Sequence, residues 1–155
     1  MSIDLNGIAH IRLNVKKFEE CADFYRQLFE FFQMKIIFES TDVLYAVGGR
    51  TGLCIARVTL AYQHDNFDQN RIGLHHFCFR ARSRDDVEAV HIHLQKIKAK
   101  IVTPPEDGVW AKGYYSVLFE DPEGIRIEVN FVPGQGNLDI ETNFSMPDPT
   151  KKLFL

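Results

Sequence analysis

His10-Ile11-Arg12-Leu13-Asn14-Val15 and, 66 residues later, His76-Phe77-Cys78-Phe79-Arg80-Ala81 share one pattern: a histidine, then apolar and non-apolar side chains in alternation. That period belongs to a half-buried strand. The same offset carries Phe24 onto Val90, Leu28 onto Leu94 and Ile36 onto Val102. The chain is therefore read as an internal duplication.

Each strand is followed by a helical period. Phe18, Cys21, Phe24, Tyr25, Leu28 and Phe32 recur at three- and four-residue steps, as do Val87, Val90, Leu94 and Ile97. Ser83 stands before the second run as an N-cap, with Asp86 as the acidic third position. Lys96, Lys98 and Lys100 sit toward the negative end of its dipole. Short strands are expected next, at Lys35–Glu39 and Lys100–Thr103, then one hairpin in each half. The first hairpin joins Val43–Val47 to Leu53–Val58 through Gly48–Gly52, and the second joins Tyr114–Phe119 to Ile125–Asn130. The second turn, Asp121-Pro122-Glu123-Gly124, has Asp first, Pro with its preset φ second and Gly last. The hairpins are offset by 72, and the added residues are assigned to a loop at Pro104–Gly113.

The expected fold is α+β: two βαβββ modules, residues 5–60 and 72–132, within a single domain of residues 1–155. A tail at 133–155 follows, and Ile140, Phe144 and Leu153–Leu155 give it the means to dock on the body or on a partner subunit. Composition sets the outer bounds. At 155 residues, 45% hydrophobic and 25% charged, the chain is outside the disordered class. It contains no apolar run of about 20 residues, so no membrane span is expected. A net charge of -3 offers no footprint for nucleic acid. Met1–Asn14 lacks a basic start followed by an apolar core, and three cysteines do not make a disulfide framework, so a cytoplasmic protein is expected.

Residues two apart on a strand share a face. With Ile11, Leu13 and Val15 under the first helix, His10, Arg12 and Asn14 face the other way. In the matching strand His76, Cys78 and Arg80 do so, and in the last strand Arg126, Glu128 and Asn130. Curved sheets would turn these three files toward one cavity. Two imidazoles and a carboxylate, His10, His76 and Glu128, then form a facial triad with open positions for one divalent metal ion, Fe, Mn, Ni, Co or Zn. His75 points to the opposite face and reads as a packed or capping residue; it is the alternative ligand should the phase of His76 be wrong. A buried Arg needs a partner, so Arg12 and Arg126 are candidates to hold an anionic substrate or to orient Glu128. Cys78 reads as a small cavity-lining residue, while Trp110, Tyr114 and Tyr115 flank a glycine-bearing loop suited to covering a substrate. No residue is singled out for a catalytic proton transfer.

Together, Gly7-Ile8-Ala9-His10-Ile11-Arg12-Leu13, Asp23-Phe24-Tyr25, Gly73–Phe79 and Phe119–Val129 resemble the vicinal oxygen chelate superfamily over roughly Leu5–Val132. That superfamily includes glyoxalase I, fosfomycin-resistance thiol transferases, methylmalonyl-CoA epimerase, extradiol dioxygenases and bleomycin-resistance proteins. The resemblance implies paired modules forming an incomplete β-barrel around a metal cavity, a homodimer, and an oxygen-rich small-molecule substrate chelated by a divalent metal, with dioxygenase-like or lyase/isomerase-like chemistry. The alternative it carries is a non-catalytic small-molecule or antibiotic binder of the bleomycin-resistance type. Glyoxalase I has a fourth ligand, a carboxylate or amide, where the offset of 72 places Ala56, which argues against that activity.

Overall fold

The computed structural model describes residues 2–5 and 7–134. All but the first two residues of the tail at 133–155 lie outside the described residues. The chain divides into two compact units, Met1–Phe67 and Asp68–Leu155.

The first unit runs β1 (His10–Val15), α1 (Phe18–Phe31), β2 (Lys35–Glu39), β3 (Val43–Gly48) and β4 (Thr51–Arg57), then a 3-10 turn at Leu60–Tyr62. Its sheet has the order β1-β4-β3-β2, with β1 parallel to β4 and the other pairs antiparallel. The second unit repeats this as β5 (Phe77–Arg80), α2 (Arg84–Lys96), β6 (Lys100–Asp107), β7 (Tyr115–Glu120) and β8 (Arg126–Phe131), ordered β5-β8-β7-β6. Each unit is a βαβββ module, and the α+β class is as expected. No described helix is long and apolar enough to cross a membrane.

The alternation in the two opening strands sorts the side chains as their period requires. Leu13 and Val15 are buried, whereas His10, Arg12 and Asn14 are exposed. In α1 the apolar stripe Phe18, Cys21, Phe24, Tyr25, Leu28 and Phe29 is buried, with Ala22 beside it. Tyr25, Leu28 and Phe29 are completely inaccessible, as are Leu44 and Ile55 in the sheet. Burial of side chains this size contributes about 1.5–3 kcal/mol each. In the second unit Val87, Val90 and Leu94 of α2 share the core with Val117, Phe119, Ile125, Ile127 and Val129.

The duplication extends to the helix ends. Gln33 (φ 55) and Lys98 (φ 56) follow α1 and α2 in the left-handed conformation. Met34 N donates to Phe29 O at 2.8 Å and Gln33 N to Glu30 O at 3.1 Å; Ala99 N donates to Leu94 O at 2.9 Å and Lys98 N to Gln95 O at 3.1 Å. Both helices therefore close in a Schellman motif without the usual glycine. At its other end α2 is capped by the Ser83 hydroxyl, which accepts from Asp86 N at 3.1 Å. A side chain in the left-handed region carries a steric cost that glycine lacks, partly offset by glycine's greater freedom when unfolded. Lys98→Gly is expected to stabilise the protein by about 0.5 kcal/mol in urea titrations.

The expected loop at Pro104–Gly113 needs correction, because β6 runs on to Asp107. Glu106 pairs with Ser116 and Asp107 with Tyr115, beyond a register shift after Thr103. Pro104 and Pro105 lack N–H groups, but β6 is an edge strand, where proline and irregular register are tolerated. Two prolines in sequence suggested a loop; here they lie in a bulged edge.

Candidate functional site

In the second unit, β5 lies parallel to β8 with Cys78 opposite Glu128, and β7 flanks β8 on the other side with Leu118 opposite Glu128. Neighbours in register share a face, so Glu128 looks away from α2 together with Cys78. The strand's alternate residues, Ile127 and Val129, are buried. His76 stands immediately before β5, in the phase of Cys78.

Four side chains are linked around Glu128. His76 Nε2 lies 3.2 Å from Glu128 Oε2. The Tyr114 hydroxyl donates to Glu128 Oε1 at 2.5 Å. His75 Nδ1 and His76 Nδ1 are 2.7 Å apart and share a hydrogen bond whose direction follows the tautomers, with the rings edge to face. The result is a continuous chain, Tyr114–Glu128–His76–His75, in which each carboxylate oxygen has its own partner.

Burial acts to raise the pKa of Glu128, but hydrogen bonds from His76, Tyr114 and Ser116 outweigh it and hold the carboxyl below its ordinary value. Glu128 is thus a carboxylate at neutral pH. Burial, then the bonded negative charge of Glu128, pushes the Tyr114 hydroxyl well above its usual range, so it remains a donor. Desolvation around the sulfur and the Glu128 charge push the Cys78 thiol the same way, although the residue as a whole is exposed. The imidazole of His75 is shifted down by burial, then by His76 and Arg126.

The remaining candidates of this unit divide. Arg126 does not reach Glu128: its Nε is buried, without a hydrogen-bond partner, 3.6 Å from Glu120 Oε1. Glu120 Oε2 in turn holds Lys100 Nζ at 2.7 Å. Tyr115 points to the helix side, where its hydroxyl donates to Glu88 and its ring lies beneath Arg84, 3.7 Å from the guanidinium carbon. It is therefore removed from the Glu128 face, as strand parity requires for the neighbour of Tyr114. Trp110 lies half-buried in the loop before β7. That loop packs closely, since a Cβ added at Gly108 would lie 2.5 Å from the Tyr114 ring and 3.2 Å from Trp110.

In the first unit His10 opens β1 opposite Gly52, and Arg12 lies opposite Cys54. Both are exposed. These pairs revise the inferred counterpart of Glu128. Arg12 and Cys78 are equivalent through the offset of 66, so the residue matching Glu128 is Cys54, not Ala56. The difference comes from the hairpins. β3 and β4 are joined by a two-residue turn after Gly48, whereas Glu120 and Arg126 bracket five residues, so a constant offset slips. Cys54 is half-buried and Ala56 almost wholly buried. The position still lacks the carboxylate or amide of glyoxalase I, but a thiol stands there. Among the described residues, no group of three or more His, Cys, Asp and Glu side chains lies close enough to hold a metal ion.

The family model described as the Glyoxalase/Bleomycin resistance protein/Dioxygenase superfamily matches residues 7–129. A search of curated proteins gives no significant match. Solved structures do. A candidate glyoxalase from Bacillus halodurans superposes with a TM-score of 0.72 at 24% identity, over 82% of this chain and 96% of its own. A glyoxylase/bleomycin resistance protein/dioxygenase domain from Frankia sp. EAN1pec gives 0.65 at 22% identity, covering 83% and 98%. Lactoylglutathione lyase from Agrobacterium tumefaciens gives 0.61 at 21% identity, covering 83% and 95%. At these identities the structural likeness speaks for the fold.

Proposed function

The chain belongs to the Glyoxalase/Bleomycin resistance protein/Dioxygenase superfamily, and from that premise we propose that it is a metal-dependent enzyme acting on a small substrate with neighbouring oxygen atoms. The observation that carries this is the approach of His76 Nε2 to Glu128 Oε2, 3.2 Å apart on the face turned away from α2. Two donor atoms each about 2.1 Å from a shared ion, and roughly at right angles, stand about 3 Å apart. An imidazole and an ionised carboxylate at that spacing are a suitable pair for Fe, Mn, Ni, Co or Zn. His10, at the matching position of the duplicated strand, is proposed as the third donor, supplied by the same chain or by a second copy.

When bound, such an ion supplies a Lewis acid and a template for a chelating substrate. The surrounding residues hold the donors in place. Tyr114 occupies Glu128 Oε1 and leaves Oε2 for the ion. With an ion bound, Nε2 of His76 would give it the lone pair that otherwise carries the proton donated to Glu128, and the Nδ1 contact with His75 would hold the ring, as ligating histidines are ordinarily oriented. Cys78, protonated beside Glu128, contributes bulk rather than charge. Arg12, on the file of His10, is proposed to hold an anionic substrate group, and Trp110 to cover it.

Tyr114→Phe removes one hydroxyl and little volume. Metal affinity is expected to fall about tenfold, and the Co(II)-loaded protein to change its visible spectrum as Oε1 becomes available to the ion. Competition titration against a chelator measures the first effect. An unchanged affinity and spectrum would separate Tyr114 from the metal site. Screening diols, catechols, 2-oxo acids and thiol adducts against the metal-loaded protein identifies the substrate class.

A further inference from the structure

The two modules treat their outer strands differently. β6, the edge of the second sheet, carries Pro104, Pro105, Glu106 and Asp107 and is bulged, devices that discourage a further strand from pairing. β2, the matching edge of the first sheet, has the sequence Lys35-Ile36-Ile37-Phe38-Glu39 and no proline. Its three central residues are apolar and exposed, Ile37 by 51% and Phe38 by 55%. A register shift between Ile36 and Phe38 leaves Ile37 without a partner in β3, and beside this bulge the only protection of β2 is its short length and its end charges.

The charges of β2 stand only at its ends, and they are opposite. Pairing two copies antiparallel about Ile37 brings Lys35 of each against Glu39 of the other, Ile36 against Phe38, and Ile37 against itself. Opposite charges across a strand pair stabilise it, and like charges oppose it. Such a contact is isologous, so one two-fold axis satisfies both ends. Glu39 has capacity for it: Oε1 already accepts from Arg26 Nε at 2.9 Å and Nη2 at 2.6 Å, which leaves Oε2 to the partner's Lys35.

We propose that β2 is the surface through which two copies of this chain associate, joining their first sheets edge to edge. The contact is independent of the metal site. Sedimentation equilibrium of the whole protein across the micromolar range tests it, with wild type expected to be dimeric. Lys35→Glu places Glu opposite Glu and Glu39→Lys places Lys opposite Lys, so each variant alone is expected to dissociate about tenfold more readily. Mixed in equal amounts, the two are expected to associate with each other as tightly as wild type, because both ends again pair opposite charges. Ile37→Cys is expected to form a disulfide-linked dimer on mild oxidation while the Ser40→Cys control does not, since residue 37 meets its own copy within disulfide reach. A monomeric wild type, variants as dimeric as wild type, a mixture that stays dissociated, or equal cross-linking of the two cysteine variants would each overturn the proposal.

Discussion

Glu128→Ala is expected to lower metal affinity by at least about a hundredfold, a loss beyond what changes to residues behind the ligands produce. The variant should still unfold cooperatively. Glu128 lies on the face away from the core residues Ile127 and Val129, so its removal leaves their packing intact. The cost to the fold is the Tyr114 hydroxyl, left without its acceptor, about 1–2 kcal/mol. The histidines supply the internal comparison. His76→Ala should match Glu128→Ala, since it removes the atom 3.2 Å from the carboxylate. His75→Ala should cost only about tenfold, through loss of the bond that orients His76. Metal retained by His76→Ala and lost by His75→Ala, in elemental analysis after dialysis, would make His75 the ligand.

The largest expected effect on stability falls at Asp121, in the connection between β7 and β8. Its side chain is only 4% exposed. Oδ1 accepts from Glu123 N at 2.9 Å and from Ile125 N at 2.8 Å, while its backbone carbonyl accepts from Gly124 N at 2.9 Å. Gly124 has φ +93, so the turn needs glycine there. Asp121→Ala leaves two backbone donors unsatisfied and is expected to cost about 3 kcal/mol. For a chain of this size that lowers Tm by roughly 6–12 °C. Asp121→Asn keeps an oxygen in place and should recover most of the loss. An alanine variant within about 0.5 kcal/mol of wild type would show that water replaces the carboxylate.

Much of this architecture was legible because duplication lets one half check the other. The histidine-led alternation at His10 and His76 located β1 and β5, to within one residue, and the apolar stripes located both helices. The Ser83 cap was legible because its chemistry is local. What escaped depended on non-local register. The β6 extension past Pro104 is held by pairing with Ser116 and Tyr115, which no local signal announces. The placement of Cys54 opposite Arg12 was hidden by hairpins of unequal length.

At the site, alternation placed Glu128 and His76 on one face, and their contact follows. Strand parity also held the answer for the paired tyrosines. Tyr114 shares the phase of Leu118, which lies opposite Glu128, whereas Tyr115 shares that of the buried Val117 and Phe119. The ion pair of Arg126 with Glu120 was not legible, because it joins side chains across a register set by the turn.

We propose that one divalent metal ion is held through His10, His76 and Glu128. Anaerobic reconstitution of the whole protein with Fe(II), Mn(II), Ni(II), Co(II) or Zn(II), followed by dialysis and elemental analysis, tests it most directly. About one ion per chain is expected for at least one of these metals, lost in Glu128→Ala. Less than about 0.1 ion per chain for all five would contradict it and favour a binder that holds its small molecule without a metal.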